Sequence, residues 1–198
     1  MCLNKSKKGT KMNLCEHMKL DTENVFVTSD HHFGSWKLAS HPWREPVFSQ
    51  PEEEELIGKW NSVVRPTDQV LYVGDFCDSG EADLREYRQR LNGEIILIKG
   101  NHDNLSDDVY KAVFTAVYDE LVIDALNLVL RHCPDIEGNN AFRQIYGHEH
   151  VEGGQLHPMD PARSFCSCVM RNGGFPVTLE AALAKMDAPV CRTSGIQG

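Results

Sequence analysis

The clearest regularity along the chain is a short apolar, β-branched run that stops at residues with metal-binding side chains. Val25-Phe26-Val27-Thr28-Ser29 leads into Asp30-His31-His32-Phe33-Gly34, and Val70-Leu71-Tyr72-Val73 leads into Gly74-Asp75. Glu94-Ile95-Ile96-Leu97-Ile98-Lys99 leads into Gly100-Asn101-His102-Asp103. Leu128-Val129-Leu130-Arg131 precedes His132, and Phe142-Arg143-Gln144-Ile145-Tyr146 precedes Gly147-His148-Glu149-His150. Each run has the length and composition of a buried strand.

Helices fit between the early runs. Ser49 and Glu52 have capping-box spacing, Pro51 suits a first turn, and Leu56, Ile57, Trp60 and Val63/Val64 form a helical stripe. The acidic residues Glu52 to Glu55 read as a solvated first turn, favoured there by the helix dipole. Ser79 predicts the cap of a second helix through Arg90, carrying Leu84, Tyr87 and Leu91, and a third begins near Ser106. Further on, apolar runs at 117–123 and 128–131 flank a hairpin-like connection, and 165–170 reads as a strand. Val177 begins a last strand or leads directly into a helix at 179–186. Strands alternating with helices, then a strand-rich half, predict an α/β protein with mixed sheets. In open α/β sheets ligands sit beyond the carboxyl ends of strands, where all five polar clusters fall.

Length and composition narrow the class. The 198 residues suit one domain, at 23–187, between a basic leader at 1–22 expected to be disordered and a loose tail at 188–198. No apolar stretch approaches the roughly 18 to 20 residues of a membrane helix, and the leader lacks the apolar core of a signal peptide. The net charge of −9, with no basic run beyond the leader, argues against general binding to nucleic-acid backbones. The seven cysteines contain no CxxC pair, which argues against a disulfide framework and against a zinc site built from cysteines. A reducing cytoplasm is the expected compartment.

The strand-end residues are the donors of a metal centre. On an extended segment, residues two apart share a side, so Asp30 can act with His32 while His31 points away; His148 and His150 pair likewise, leaving Glu149 opposite. Together with Asp75, Asn101 and His132 they give mixed oxygen and nitrogen donors suited to Mn, Fe or Zn, with Mn favoured. Two divalent ions bring four positive charges and the carboxylates of Asp30 and Asp75 neutralise two, so a surplus remains to attract phosphate and acidify water. Asp75 can offer an oxygen to both ions.

With these blocks in place, the chain resembles the calcineurin-like metallophosphoesterase superfamily, and within it the small, capless bacterial and phage branch. The resemblance runs from about Val25 to Glu180. It implies a four-layer α-β-β-α sandwich of two mixed β-sheets with helices on the outer faces. It implies that Asp30, His32 and His150 hold one metal, that Asn101, His132 and His148 hold a second, and that Asp75 bridges them. Attack would come from a hydroxide held on that dinuclear centre. His102 would act as general acid, with Asp103 orienting its ring. Ser35 departs from the pattern, where a second histidine after the glycine is expected. Arg44, in the long loop after the first motif, is a candidate contact to the substrate phosphate. The expected partner is a phosphate ester, nucleotides among the candidates, with diesters favoured over monoesters because no inserted cap closes the site. The alternative is a non-catalytic protein-binding scaffold on the same fold.

Overall fold

The computed structural model describes residues 24–38, 47–137, 141–150, 157 and 159–187. The leader, the tail, His41 and Arg44 lie outside the described residues. Four strands, β1 (Val25–Thr28), β2 (Gln69–Tyr72), β3 (Glu94–Ile98) and β4 (Ala116–Tyr118), run parallel, and β9 (Val177–Thr178) joins β1 antiparallel, giving the order β4-β3-β2-β1-β9. A second sheet, β5-β6-β7-β8, comprises β5 (Leu121–Ile123), β6 (Leu128–Arg131), β7 (Arg143–Tyr146) and β8 (Ser164–Cys166), parallel except for the β5–β6 pair. Both sheets are therefore mixed, in agreement with the α/β sandwich implied by the sequence.

Strand alternation explains why the first sheet reads as continuous apolar runs. Val25, Val27, Leu71, Val73, Ile96 and Ile98 face the second sheet, where Leu121, Ile123, Leu128, Leu130, Ile145 and Phe165 meet them. Phe26, Val70, Tyr72, Ile95 and Leu97 face the other way, onto three helices. A strand buried on both faces has no position left for a polar residue. The helices are α1 (Gln50–Val63), α2 (Glu81–Arg90) and α3 (Asp107–Val113), and they contribute Trp60, Leu84 and Tyr110 to that second core. The fourth, α4 (Leu179–Asp187), packs against β1, β8 and β9 and supplies Leu179, Ala182 and Met186 to the core between the sheets.

Three local expectations are corrected. The run expected as one strand at 117–123 is broken at Asp119-Glu120, so that β4 belongs to the first sheet and β5 to the second. The strand expected through 170 ends at Cys166 because the chain turns into a 3-10 segment at Val169–Asn172. The acidic first turn of α1 is solvated only in part. Glu52 behaves as the capping box predicts, accepting from the Ser49 amide at 2.7 Å. Glu53, however, is 1% exposed and accepts from the Gly34 amide at 2.8 Å, Trp36 Nε1 at 2.9 Å and the Tyr87 hydroxyl at 2.7 Å. Burial pushes its carboxyl pKa up against these three donors. Glu53 thus ties α1 to the loop that follows β1.

Glu53→Ala would strand these donors, and unsatisfied buried donors cost about 1–3 kcal/mol each. We expect a loss of about 2–4 kcal/mol, read as a lower urea midpoint at unchanged slope. An unchanged midpoint would show that the Gly34 loop is held by other contacts.

Candidate metal centre

The polar clusters at the carboxyl ends of β1, β2, β3, β6 and β7 converge on one crevice. Around one position stand Asp30, His32 and His150. His150 Nε2 lies 3.5 Å from Asp30 Oδ1 and 3.3 Å from His32 Nε2, and His32 Nε2 lies 3.6 Å from Asp75 Oδ2. Around a second stand Asn101, His132 and His148. Asn101 Oδ1 is 3.0 Å from both His132 Nε2 and His148 Nδ1, and His132 Nε2 is 3.1 Å from Asp75 Oδ2. The same Asp75 oxygen therefore faces both groups.

The backbone that delivers these side chains is not extended. Among the described residues five non-glycine positions have positive φ, and four of them are Asp30 (63°), His32 (46°), Asp75 (58°) and His148 (70°). The expectation of extended-strand alternation is thus corrected, although His31 does point away. Left-handed conformations cost roughly 1–3 kcal/mol at non-glycine residues and persist only where the surroundings enforce them. Here the enforcement is visible. The His148 amide donates to Asp30 Oδ1 and Oδ2 at 3.0 and 3.1 Å, and the His102 amide donates to Asp75 Oδ1 at 2.8 Å. Close approach also needs glycine at 147, where a Cβ would lie 2.7 Å from Asp30 Oδ2.

Two of the rings are oriented from behind. His132 Nδ1 donates to the Val73 carbonyl at 2.8 Å, and His32 Nδ1 donates to Asp78 Oδ1 at 2.9 Å, leaving each Nε2 facing the crevice. Burial opposes charging of either ring. Nevertheless the hydrogen bond that His132 donates to Asp75 and the charge of Asp30 bring His132 up to about 9, and Asp78 raises His32. Burial likewise opposes ionisation of Asp75 and Asp30, but the surrounding histidines hold both carboxyls below their usual range. The crevice thus gathers negative charge that favours a cation. Such a donor set fits a divalent cation.

The family model of the calcineurin-like phosphoesterases matches residues 24–153. The chain belongs to the calcineurin-like phosphoesterase family. The phosphoesterase is also 30% identical over 151 residues to an uncharacterized protein of Methanocaldococcus jannaschii, spanning 73% of this chain and 80% of that one. A crystal structure of a protein of unknown function from Aquifex aeolicus shares its fold at a TM-score of 0.62 and 22% identity, covering 79% of this chain and 96% of that one. Family and clustered donors together mark a divalent-metal-binding centre in a hydrolase of phosphoric esters. No helix among the described residues is long and apolar enough to cross a membrane.

Within the phosphoesterase Asp103, expected to orient the His102 ring, sits among backbone amides. Its carboxylate accepts from the amides of Gly100 at 2.8 Å, Asp75 at 2.9 Å and Phe76 at 3.1 Å, so it joins the loops after β2 and β3. The carboxylate beside the His102 ring is Asp78, whose Oδ1 lies 3.5 Å from His102 Nδ1. Sequence reasoning missed Asp78; its signal was its place three residues after Asp75 in the same loop. Ser35, the departure from the family pattern, turns its hydroxyl to the amides of Val47 and Phe48 at 3.2 and 3.4 Å. His31 is buried against Phe33, Trp60 and Tyr72, with Nδ1 2.9 Å from the Tyr72 hydroxyl. Burial pushes its pKa down to about 3, so it is a neutral core residue. Glu149 binds the amide and Nδ1 of His157 through Oε1, at 2.9 and 2.6 Å.

Asp103→Ala should loosen the joined loops. We expect about 2–4 kcal/mol less stability and weaker metal affinity together, measured by urea unfolding and metal titration. Full affinity with a reduced rate would instead return Asp103 to acid chemistry.

Proposed function

We propose that the protein hydrolyses phosphodiesters using two divalent ions, with His102 as the proton donor to the leaving oxygen. The observation that carries this reading is Asp75 Oδ2, placed 3.6 Å from His32 Nε2 and 3.1 Å from His132 Nε2 and so available to two ions at once. Asp30, His32 and His150 would hold one ion and Asn101, His132 and His148 the other. Ions of the Mn, Fe or Zn type there would supply the charge that draws in a phosphate group and acidifies water.

The chain's own residues supply the rest. His102 is about 38% exposed along its side chain, which lets a substrate reach it, and its ring stands 5.0 Å from that of His32. A departing alkoxide needs a proton, and an imidazole beside a buried carboxylate is suited to give one. Asp78 contacts both His32 and His102, so one carboxylate sets the orientation of a metal-facing ring and of the acid.

The preference for diesters is supported by the surface next to His102. A cleft of about 440 Å³ opens there, lined by Lys37, Asp78, Ser79, Asp83, Asn104 and Leu105 among others. It has room for the group on the far side of a diester. Lys37 is already paired with Asp83, so the lining offers little to the second negative charge of a monoester.

The metal-loaded protein should hydrolyse bis-p-nitrophenyl phosphate with a higher kcat/KM than p-nitrophenyl phosphate, and a chelator should abolish both reactions. His102→Ala should retain its metal content and lose about 10²- to 10⁴-fold in kcat, most severely for alkyl leaving groups. Equal losses for aryl and alkyl leaving groups would refute the proton-donor role. Hydrolysis of neither ester by metal-replete protein would favour the scaffold alternative.

A further inference from the structure

Two sulfur atoms stand beside His150. Its Nδ1 is 3.2 Å from Met170 Sδ. It also forms a cluster with Asp30 and Cys168 in which one donor atom from each lies within 4.8 Å of the others. Atoms bound to one ion at about 2.0–2.3 Å are necessarily separated by less than that limit.

The route by which Cys168 arrives was not evident in the sequence. On a continuing strand Cys166 and Cys168 would share a face, remote from the first motif. Instead β8 stops at Cys166, Cys168 forms a parallel bridge with Ser29, and the next residues coil into the 3-10 segment. Cys168 is thereby 0% exposed and adjoins Asp30, the neighbour of its bridge partner.

We propose that Cys168 Sγ is a further donor to the ion held by Asp30, His32 and His150, giving that position a mixed oxygen, nitrogen and sulfur set. The proposal rests on the assignment of those three residues to one ion. On coordination the S–H proton leaves to solvent and a sulfur lone pair enters the ion. The composition of this set selects softer ions such as Fe, Co or Zn over Mn or Mg at this position, whereas the Asn101, His132 and His148 position keeps only oxygen and nitrogen.

Cobalt(II) provides a readout independent of turnover, because sulfur bound to cobalt gives an intense near-ultraviolet charge-transfer absorption. The full chain loaded with cobalt should show this band, and Cys77→Ser should retain it. Cys168→Ser and Cys168→Ala should each lose the band while elemental analysis still finds bound cobalt. Zinc affinity should fall by about tenfold or more in both variants with magnesium affinity unchanged. Bound cobalt without the band in the wild-type chain would overturn the proposal and leave the metal centre intact. A band that survives in a folded Cys168 variant would overturn it as well. Absence of bound cobalt would overturn the metal-centre reading itself.

Discussion

Two carboxylates, Asp30 and Asp75, are buried within 4.8 Å of each other, and a third, Asp103, accepts from the Asp75 amide. Coulomb repulsion between such groups at low effective dielectric is the constraint to which the surrounding structure answers. Four histidines crowd the first two carboxylates, and the rings of His32 and His132 rise in pKa to meet them. The backbone contributes as well. Asp30, Asp75 and Asp103 all accept from main-chain amides of loops other than their own. A site arranged in this way is poised for a cation, because the work of gathering negative charge is done by folding. The ion then gains an environment that water cannot offer.

A second principle recurs at greater distance: carboxylates are used to fasten loops. Glu53 holds the loop after β1 through the Gly34 amide and Trp36, and Asp103 joins the loops after β2 and β3. Glu149 receives His157. In each case a buried acid binds backbone donors that the loop's own geometry leaves without partners.

Much of the architecture and the donor set was legible because both are written in local patterns. The apolar runs marked the strands, and their polar endings marked the crevice. What the sequence hid depends on contacts between distant segments. Alternation on an extended strand correctly sent His31 into the core, yet Asp30 and His32 reach the crevice through left-handed backbone that no periodicity predicts. Glu53 looked like one acidic residue among four, and only the meeting of α1 with Gly34, Trp36 and Tyr87 sets it apart. Asp78 was missed because sequence proximity to His102 says nothing about which carboxylate the folded loop turns toward its ring. Cys168 was hidden for a similar reason, since the early end of β8 decides where its thiol goes.

The break at Asp119-Glu120 carries the chain from one sheet to the other, and it divides the donors between them. Asp30, His32, Asp75 and Asn101 follow strands of the first sheet, whereas His132, His148 and His150 follow strands of the second. Each proposed donor group draws on both sheets, so a bound ion would act as a rivet across their seam. A chain caught partway through folding would have little hold on metal, and a folded one deprived of it would lose a fastening between its halves. For this protein, metal supply would govern the lifetime of the native state as well as turnover.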